Sequence, residues 1–445
     1  MLTFNRTCFS IGCLSKGEIM AEFVEVLDSM MGSSKTTGII KWIEQNPNEK
    51  YLYISPLLSE VESGGRIHRD LTTVSFETPS NDDVTKSDDL LCLLKDGRNI
   101  ACTHSLYLGM TKEHLKAIED GKYILLIDEE VDVIEGYNKY NKDDLEYLIS
   151  KNDISFSESD GMISWVGQPC GNGAKYNEFM HLCNAKALYA TKRNQAMMVT
   201  QLPIKLITCA KRVIIMTYMF KGNILDCFLK LKGVQTKPFT DFKCVERAKE
   251  EIRKLVTLKP LPKELASISM SSSGYERMSK ADCLKISKYI RNTCQNVKAT
   301  SQFVMYTFPK AKLTGEDRSK TKNKITPKGY TNFVEKIETV NDKGEVVEET
   351  VKHSCWLHSG CRATNDYAHK WCLVHCYDRY PLQSVANYLE DFNCKIDNNV
   401  FALSELLQWV WRSRIRKGEP IVVAIGSKRM YNIFVDWLND EFETK

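Results

Sequence analysis

An apolar run that ends abruptly in carboxylates constrains this chain more than any other feature. Tyr123, Ile124, Leu125, Leu126 and Ile127 are followed at once by Asp128, Glu129 and Glu130. A continuous apolar run this short is that of a strand buried on both faces, which belongs in a parallel sheet covered by helices. Its C-terminal end must then carry the acids to a sheet edge. About 90 residues earlier another apolar run, 23–27, opens into a small-residue loop, 28–34. A helical pattern over 36–44 follows, with Ile39, Ile40 and Ile43 on one face. Further strands are expected at 51–54, closed by Ser55 and Pro56, at 100–103 and at 213–217. Strands alternating with helical stretches predict a mainly parallel α/β fold.

The second half repeats this logic, with strands expected at 302–307, 371–375 and 420–425. Residues 257–275, rich in Pro, Ser and Gly, read as a linker or long loop near a domain boundary. Runs at 334–340 and 345–351, joined by Asn341, Asp342, Lys343 and Gly344, predict a β-hairpin. The 445 residues suffice for two to three domains at roughly 150 residues each. The expected division is 1–19 as leader or disordered tail, 20–255 as a first lobe and 256–445 as a second. Lys16, Gly17 and Glu18 lie where a ribosome-binding sequence would be encoded upstream of Met20, which makes Met20 the expected initiator. Peptide mapping of the natural protein tests that start.

No apolar run approaches the roughly 18 residues that span a bilayer, so no membrane segment is expected. Sixteen dispersed cysteines without a secretory signal predict free thiols in a reducing cytoplasm, that of the host if the chain is phage-encoded. The net charge of +4 arises from 61 basic and 57 acidic residues, so any nucleic-acid affinity must come from local patches.

The loop after the first strand reads Ser29, Met30, Met31, Gly32, Ser33, Ser34, Lys35, Thr36, Thr37. A loop between strand and helix presents free backbone N–H groups to a phosphate, and the helix dipole adds to the attraction. Lys35 is placed to reach the β and γ phosphates of ATP, and the Thr36 hydroxyl to ligate Mg²⁺. Ser34 stands where glycine is usual, and a Cβ there strains or weakens the loop. The plainer alternative is an ordinary capped helix start. Asp128 is the candidate to hold the Mg²⁺, and Glu129 to orient and deprotonate the attacking water. A third element surrounds Gln408, Trp409, Trp411, Arg412, Arg414 and Arg416. Arg412 and Arg416, four apart, are expected on one face of a helix, where they can stabilise charge on a γ-phosphate; the plainer reading is a basic helix surface.

This order of motifs resembles the superfamily two helicases of the DEAD/DEAH type, and more closely the helicase-like ATPases of phages of Gram-positive bacteria. The resemblance runs from about Glu22 to Leu438. It implies two RecA-like lobes with ATP and Mg²⁺ in the cleft between them, and movement on DNA, or on RNA, in phage genome replication, with other replication proteins as possible partners. Ser29, Gly32, Ser33, Ser34, Lys35, Thr36 and Thr37 fall on the family's phosphate-binding motif. Residues 53–56 fall on a segment that touches the nucleic-acid backbone, and residues 102–105 on the next strand-end loop. Residues 216–218 fall where ATP state is coupled to nucleic-acid grip, and 362–366 on a segment touching nucleotide and nucleic acid. The family spaces its two arginines three apart, which leaves the finger open between Arg414 and Arg416.

Cys355, Cys361, Cys372 and Cys376, with His353, His358, His369 and His375, crowd one segment. Their spacings are poor for zinc, and buried free thiols are the preferred expectation. Residues 310–330 hold seven Lys or Arg against two acids, readable as a solvated loop or a phosphate-tracking one. Lys428 and Arg429 carry the same two readings. The two rivals to a helicase are a nucleotide-binding switch or scaffold with little hydrolysis, and a packaging-type motor ATPase. The second requires a nuclease carboxylate cluster, whereas Asp366, Asp378, Asp391 and Asp397 are scattered.

Overall fold

The computed structural model describes residues 23–82, 84–313, 323–340, 346–361 and 366–443. The expected leader, the expected hairpin connection at 341–344 with residue 345, and residues 362–365 lie outside them. The chain divides into two compact units, one running to Glu246 and taking up Pro381–Asp397, the other formed by Arg247–Tyr380 and Asn398–Lys445.

In the first unit four strands come first: β1 (Phe23–Asp28), β2 (Tyr51–Ser55), β3 (Ile100–Thr103) and β4 (Ile124–Asp128). Five short strands follow: β5 (Ile134–Tyr137), β6 (Ile154–Phe156), β7 (Ile163–Trp165), β8 (Leu188–Ala190) and β9 (Met198–Gln201). The chain then returns with β10 (Arg212–Thr217) and β11 (Gln235–Pro238). The main sheet has the order β11-β1-β10-β4-β2-β3, and every neighbouring pair is parallel. The expected apolar runs form its central strands because their side chains are buried on both faces, with Leu125, Leu126 and Ile127 of β4 fully so. Helix α1 (Lys35–Gln45) lays Ile39, Ile40, Trp42 and Ile43 against Leu27, Tyr53, Leu126 and Met216 of that sheet. Residues 134–201 build a separate small core around Phe179, Leu188 and Met198. No periodic signal points to it, because its strands are only three or four residues long.

Residues 381–397 are the surprise of the first unit. The helix Gln383–Glu390 is drawn there by pairings distant in sequence. Tyr388 donates its hydroxyl proton to the Asp160 carbonyl at 2.8 Å, and the Lys192 amide donates to the Asp391 carboxylate at 2.7 Å.

The second unit contains β12 (Val256–Lys259), β13 (Val304–Thr307), β14 (Asn332–Val340), β15 (Val346–Ser354), β16 (Cys372–His375) and β17 (Ile421–Ile425). Its sheet is β12-β17-β16-β13, all parallel, and β14 and β15 form the expected antiparallel hairpin. The expected linker is not one. Residues 256–259 are an edge strand of this sheet, and Leu265, Met270 and Tyr275 are buried in its core. Pro262 and Ser271 there cap the starts of short helices instead of loosening the chain. Both units are thus α/β with mainly parallel sheets.

Candidate functional site at the C-terminal edge of the first sheet

The chain leaves β1 toward β2 and leaves β10 toward β11, on opposite sides, so the C-terminal ends of these neighbours border the kind of crevice that open α/β sheets use for ligands. The phosphate-loop residues, the acids of β4 and the end of β10 all meet there. The Ser29 amide donates to the Thr217 carbonyl at 3.0 Å, and the Glu129 amide to the Met216 carbonyl at 3.0 Å. Asp28, at the end of β1, accepts from the amides of Met219 and Phe220 at 2.8 and 3.0 Å. Thr217 donates its hydroxyl proton to Glu130 at 2.9 Å.

Lys35, the first residue of α1, folds back so that its ammonium donates to the carbonyls of Ser29 and Met30. Burial pulls its pKa below the ordinary lysine value, while the nearby carboxylates of Asp128, Glu129 and Asp28 act in the opposite direction. Asp128 is its counterpart. Burial, with Glu60 and Glu129 adding repulsion, pushes this carboxyl up to about 7, and Lys35 and a Tyr53 hydrogen bond oppose the rise. The Tyr53 hydroxyl lies 3.1 Å from Asp128 Oδ2 and 3.4 Å from Glu60 Oε2. His104 adds a contact from its Nε2 to the Asp128 carbonyl at 2.9 Å.

Backbone strain concentrates at the same edge. Nine described residues other than glycine hold a positive φ. Lys122, Asn152, Lys186, Lys298, Asn393 and Asp440 each lie within three residues after the C-terminal end of a helix, where left-handed backbone is ordinary. The remaining three, Ser34 (φ 62°), Glu129 (φ 62°) and Met219 (φ 60°), all sit at the ends of β1, β4 and β10 or in the loop that follows. Such conformations cost of order 1 kcal/mol each and persist where the surroundings over-determine them, as functional sites do. Ser34 therefore adopts the conformation that glycine would take freely.

The loop also fits a phosphate by its chemistry. The Ser33 hydroxyl is buried and has no hydrogen-bond partner among the described residues, and Gly32 (φ 79°) turns the backbone beside it. Thr36 is half-buried at the start of α1, while Thr37 accepts a hydrogen bond from Arg66 at 2.7 Å. Among the described residues no group of three or more His, Cys, Asp or Glu is arranged to hold a metal ion. Mg²⁺ does not need one, since it is usually bound through one or two carboxylates, phosphate oxygens and water. Asp128 and Thr36 supply that kind of donor.

Sequence reasoning misses Tyr53, Glu60 and His104 as neighbours of Asp128. The resemblance marks residues 53–56 and 102–105 only as segments near nucleic acid, and it takes the placement of β2 beside β4 to bring Tyr53 to Asp128. It also misses the contact in which the Met30 amide donates to Glu246 at 2.9 Å.

In the second unit the arginines differ from expectation. The helix Asn398–Val410 stops before them, so Arg412 lies in a turn and Arg416 in the short 3₁₀ helix Arg414–Lys417, not on one helix face. Arg412 is buried and Arg416 exposed. Arg414 donates to the Pro420 carbonyl and stacks over Trp371, which ties it to the local fold. Arg429 is held by Asp378 at 2.7 Å and by the Arg379 carbonyl at 2.9 Å, a structural setting and not an open basic patch. Lys312 is buried, contrary to a fully solvated basic loop, and residues 314–322 lie outside the described residues. Cys355, Cys372 and Cys376 are buried free thiols, and Cys361 is half-buried.

Residues 250–438 match the family described as YonV C-terminal Rossmann-like domain. The SPbeta prophage-derived uncharacterized protein YonV of Bacillus subtilis (strain 168) is 28% identical over 439 residues, which covers 94% of this chain and 100% of that protein. Among solved structures, S. tokodaii Xpd4 gives a TM-score of 0.47 at 11% identity, with 94% of each chain covered.

Proposed function

We propose that this protein is an ATP-hydrolysing, helicase-like motor that moves on nucleic acid, DNA in the first instance, in phage genome replication. One observation carries the reading: a half-buried lysine at a strand–loop–helix junction donates to the Ser29 and Met30 carbonyls, at the sheet edge where β1 and β4 release Asp28 and Asp128. Burying charge is costly unless a bound partner uses it. A prophage-derived relative along nearly the whole chain supports the phage setting.

In this reading Ser29, Gly32, Ser33, Ser34, Lys35, Thr36 and Thr37 cradle the triphosphate. Lys35 swings from the Ser29 and Met30 carbonyls to the β and γ phosphates, exchanging two neutral acceptors for charged ones. Thr36 and Asp128 would hold a Mg²⁺ ion, whose chemistry is to neutralise charge on the phosphate oxygens. Glu129, fixed by its amide bond to Met216, orients and deprotonates the attacking water. Arg412 and Arg416 carry the arginine-finger part of the proposal.

The test is an ATPase assay with and without single-stranded DNA on the wild type and Lys35→Ala. The expected result is DNA-stimulated turnover that falls at least ~10³-fold in the variant, with an unchanged melting temperature. Undiminished turnover in Lys35→Ala removes the phosphate-loop assignment. A second reading, a nucleotide switch with little hydrolysis, is favoured by the strained Ser34; ATP binding without turnover selects it.

A further inference from the structure

We infer that the pocket beside the phosphate loop is a nucleoside subsite that takes the base and sugar of a nucleoside triphosphate. The inference rests on the phosphate-binding reading above and extends it to the rest of the ligand. A cavity of about 230 Å³ opens between one face of α1 and residues 242–245. Ser33 and Ser34 line it, so it is continuous with the loop that would hold the phosphates. Its volume lies a little below the ~300–1,000 Å³ of pockets that enclose drug-sized ligands, as befits the nucleoside part of a larger molecule.

The walls suit a flat aromatic group. Phe242 sits so close to α1 that a Cβ on Gly38 would lie 2.3 Å from its ring. Glycine inside a helix is unfavourable by roughly 0.5–1 kcal/mol relative to alanine, and here it makes room for that ring. Phe242 is braced edge-on by Phe239, with centroids 5.1 Å apart, and so forms a fixed stacking surface. Trp42 contributes an apolar face only, because its indole N–H is donated to Asp241 at 3.0 Å. Val245, at the rim, is 81% exposed, more than any other large hydrophobic side chain among the described residues.

The same wall reaches the phosphate end, since Cys244 lines the pocket together with Ser33 and Ser34. The polar groups that line the pocket include Lys41 and Gln45, and none is acidic. The Gln45 amide both donates and accepts, so it can meet the edge of either purine, and discrimination between bases is left to the ring face. The subsite therefore accepts adenine and guanine nucleotides with little discrimination, because stacking tolerates any base.

Calorimetric titration of the full chain with ATP, GTP and inorganic tripolyphosphate, each with Mg²⁺, tests this. The expected wild-type result is similar affinity for ATP and GTP, each about tenfold tighter than tripolyphosphate. Phe242→Ala should weaken ATP about tenfold, and the surface change Val245→Ser about threefold, with tripolyphosphate held within about twofold. Unchanged ATP affinity in both variants, or equal weakening of ATP and tripolyphosphate, overturns the subsite. Wild-type protein that binds tripolyphosphate as tightly as ATP sinks the subsite alone. Wild-type protein that binds neither removes the phosphate-loop reading and the subsite with it.

Discussion

The strand ends of the two parallel sheets differ in what they release. In the first sheet β1 and β4 end in Asp28 and Asp128, and Glu129 follows, all acting on one half-buried lysine. In the second, β13 and β16 end in Thr307 and His375, both fully buried. The ions near that edge are paired: Arg379 with Glu405 and Arg429 with Asp378, each at 2.7 Å. Burial, with the Arg379 charge assisting, lowers the pKa of His375 to about 3, and neither ring nitrogen has a hydrogen-bond partner among the described residues. The same architecture therefore carries two kinds of edge. One holds acids crowded around a single cation, which a charged ligand can rebalance; the other is neutralised within its own fold. A parallel sheet supplies the position, and unbalanced charge supplies the chemistry.

The contrast is most open to attack at Glu129. Glu129→Gln keeps the size and the amide bond to Met216 but loses the base, so ATP turnover should fall ~10²–10³-fold while nucleotide affinity holds. Single-turnover kinetics measure it, and retained turnover would mean that the first edge is not catalytic. Glu405→Ala makes the opposite demand. It strands Arg379 largely inside the protein and should cost ~2–3 kcal/mol in denaturant unfolding, with nucleotide affinity unchanged. Altered affinity would blur the distinction between the edges.

A smaller effect is expected from pH. His375 is neutral in the folded protein down to about pH 3, whereas in the unfolded chain it titrates near 6.5. Below ~6.5 the unfolded state binds the additional proton, so this contribution to stability is complete above that pH and is lost as pH falls toward 3. The slope is at most ~1.4 kcal/mol per pH unit. Unfolding of wild type and His375→Leu between pH 5 and 7 should show the wild type losing stability faster on acidification; parallel curves would refute the buried neutral histidine. The smallest effect is at Ser34. Ser34→Gly relieves about 1 kcal/mol of left-handed strain and should tighten ATP binding up to ~5-fold. Weaker binding by the glycine variant would show that the serine hydroxyl, and not the backbone, matters there.

Much of the first edge is legible in the chain itself. The central strands are legible because four or five consecutive apolar residues, ended by acids, Ser-Pro or Gly, have no stable place except between covered sheet faces. The phosphate-loop residues and the acids of β4 are legible because their expected roles follow from residue type and local order. The second unit departs from local expectation at two places, for a common reason. Pro and Ser are local breaking signals that mark residues 257–275 as linker, yet pairing with β17 decides the state of β12. Spacing puts Arg412 and Arg416 on one helix face, yet the helix ends at Val410.

The order of residues thus dictates whatever acts through neighbours along the chain: apolar periodicity, a small-residue turn, acids at the end of a run. Strand order lies beyond that reach. It takes the sheet to set Tyr53 and His104 against Asp128, Phe242 against Gly38, and residues 381–397 onto a unit whose other residues end at Glu246. The physical reason is that burial and hydrogen bonding are satisfied by whichever partner arrives, and local composition does not encode which partner that is.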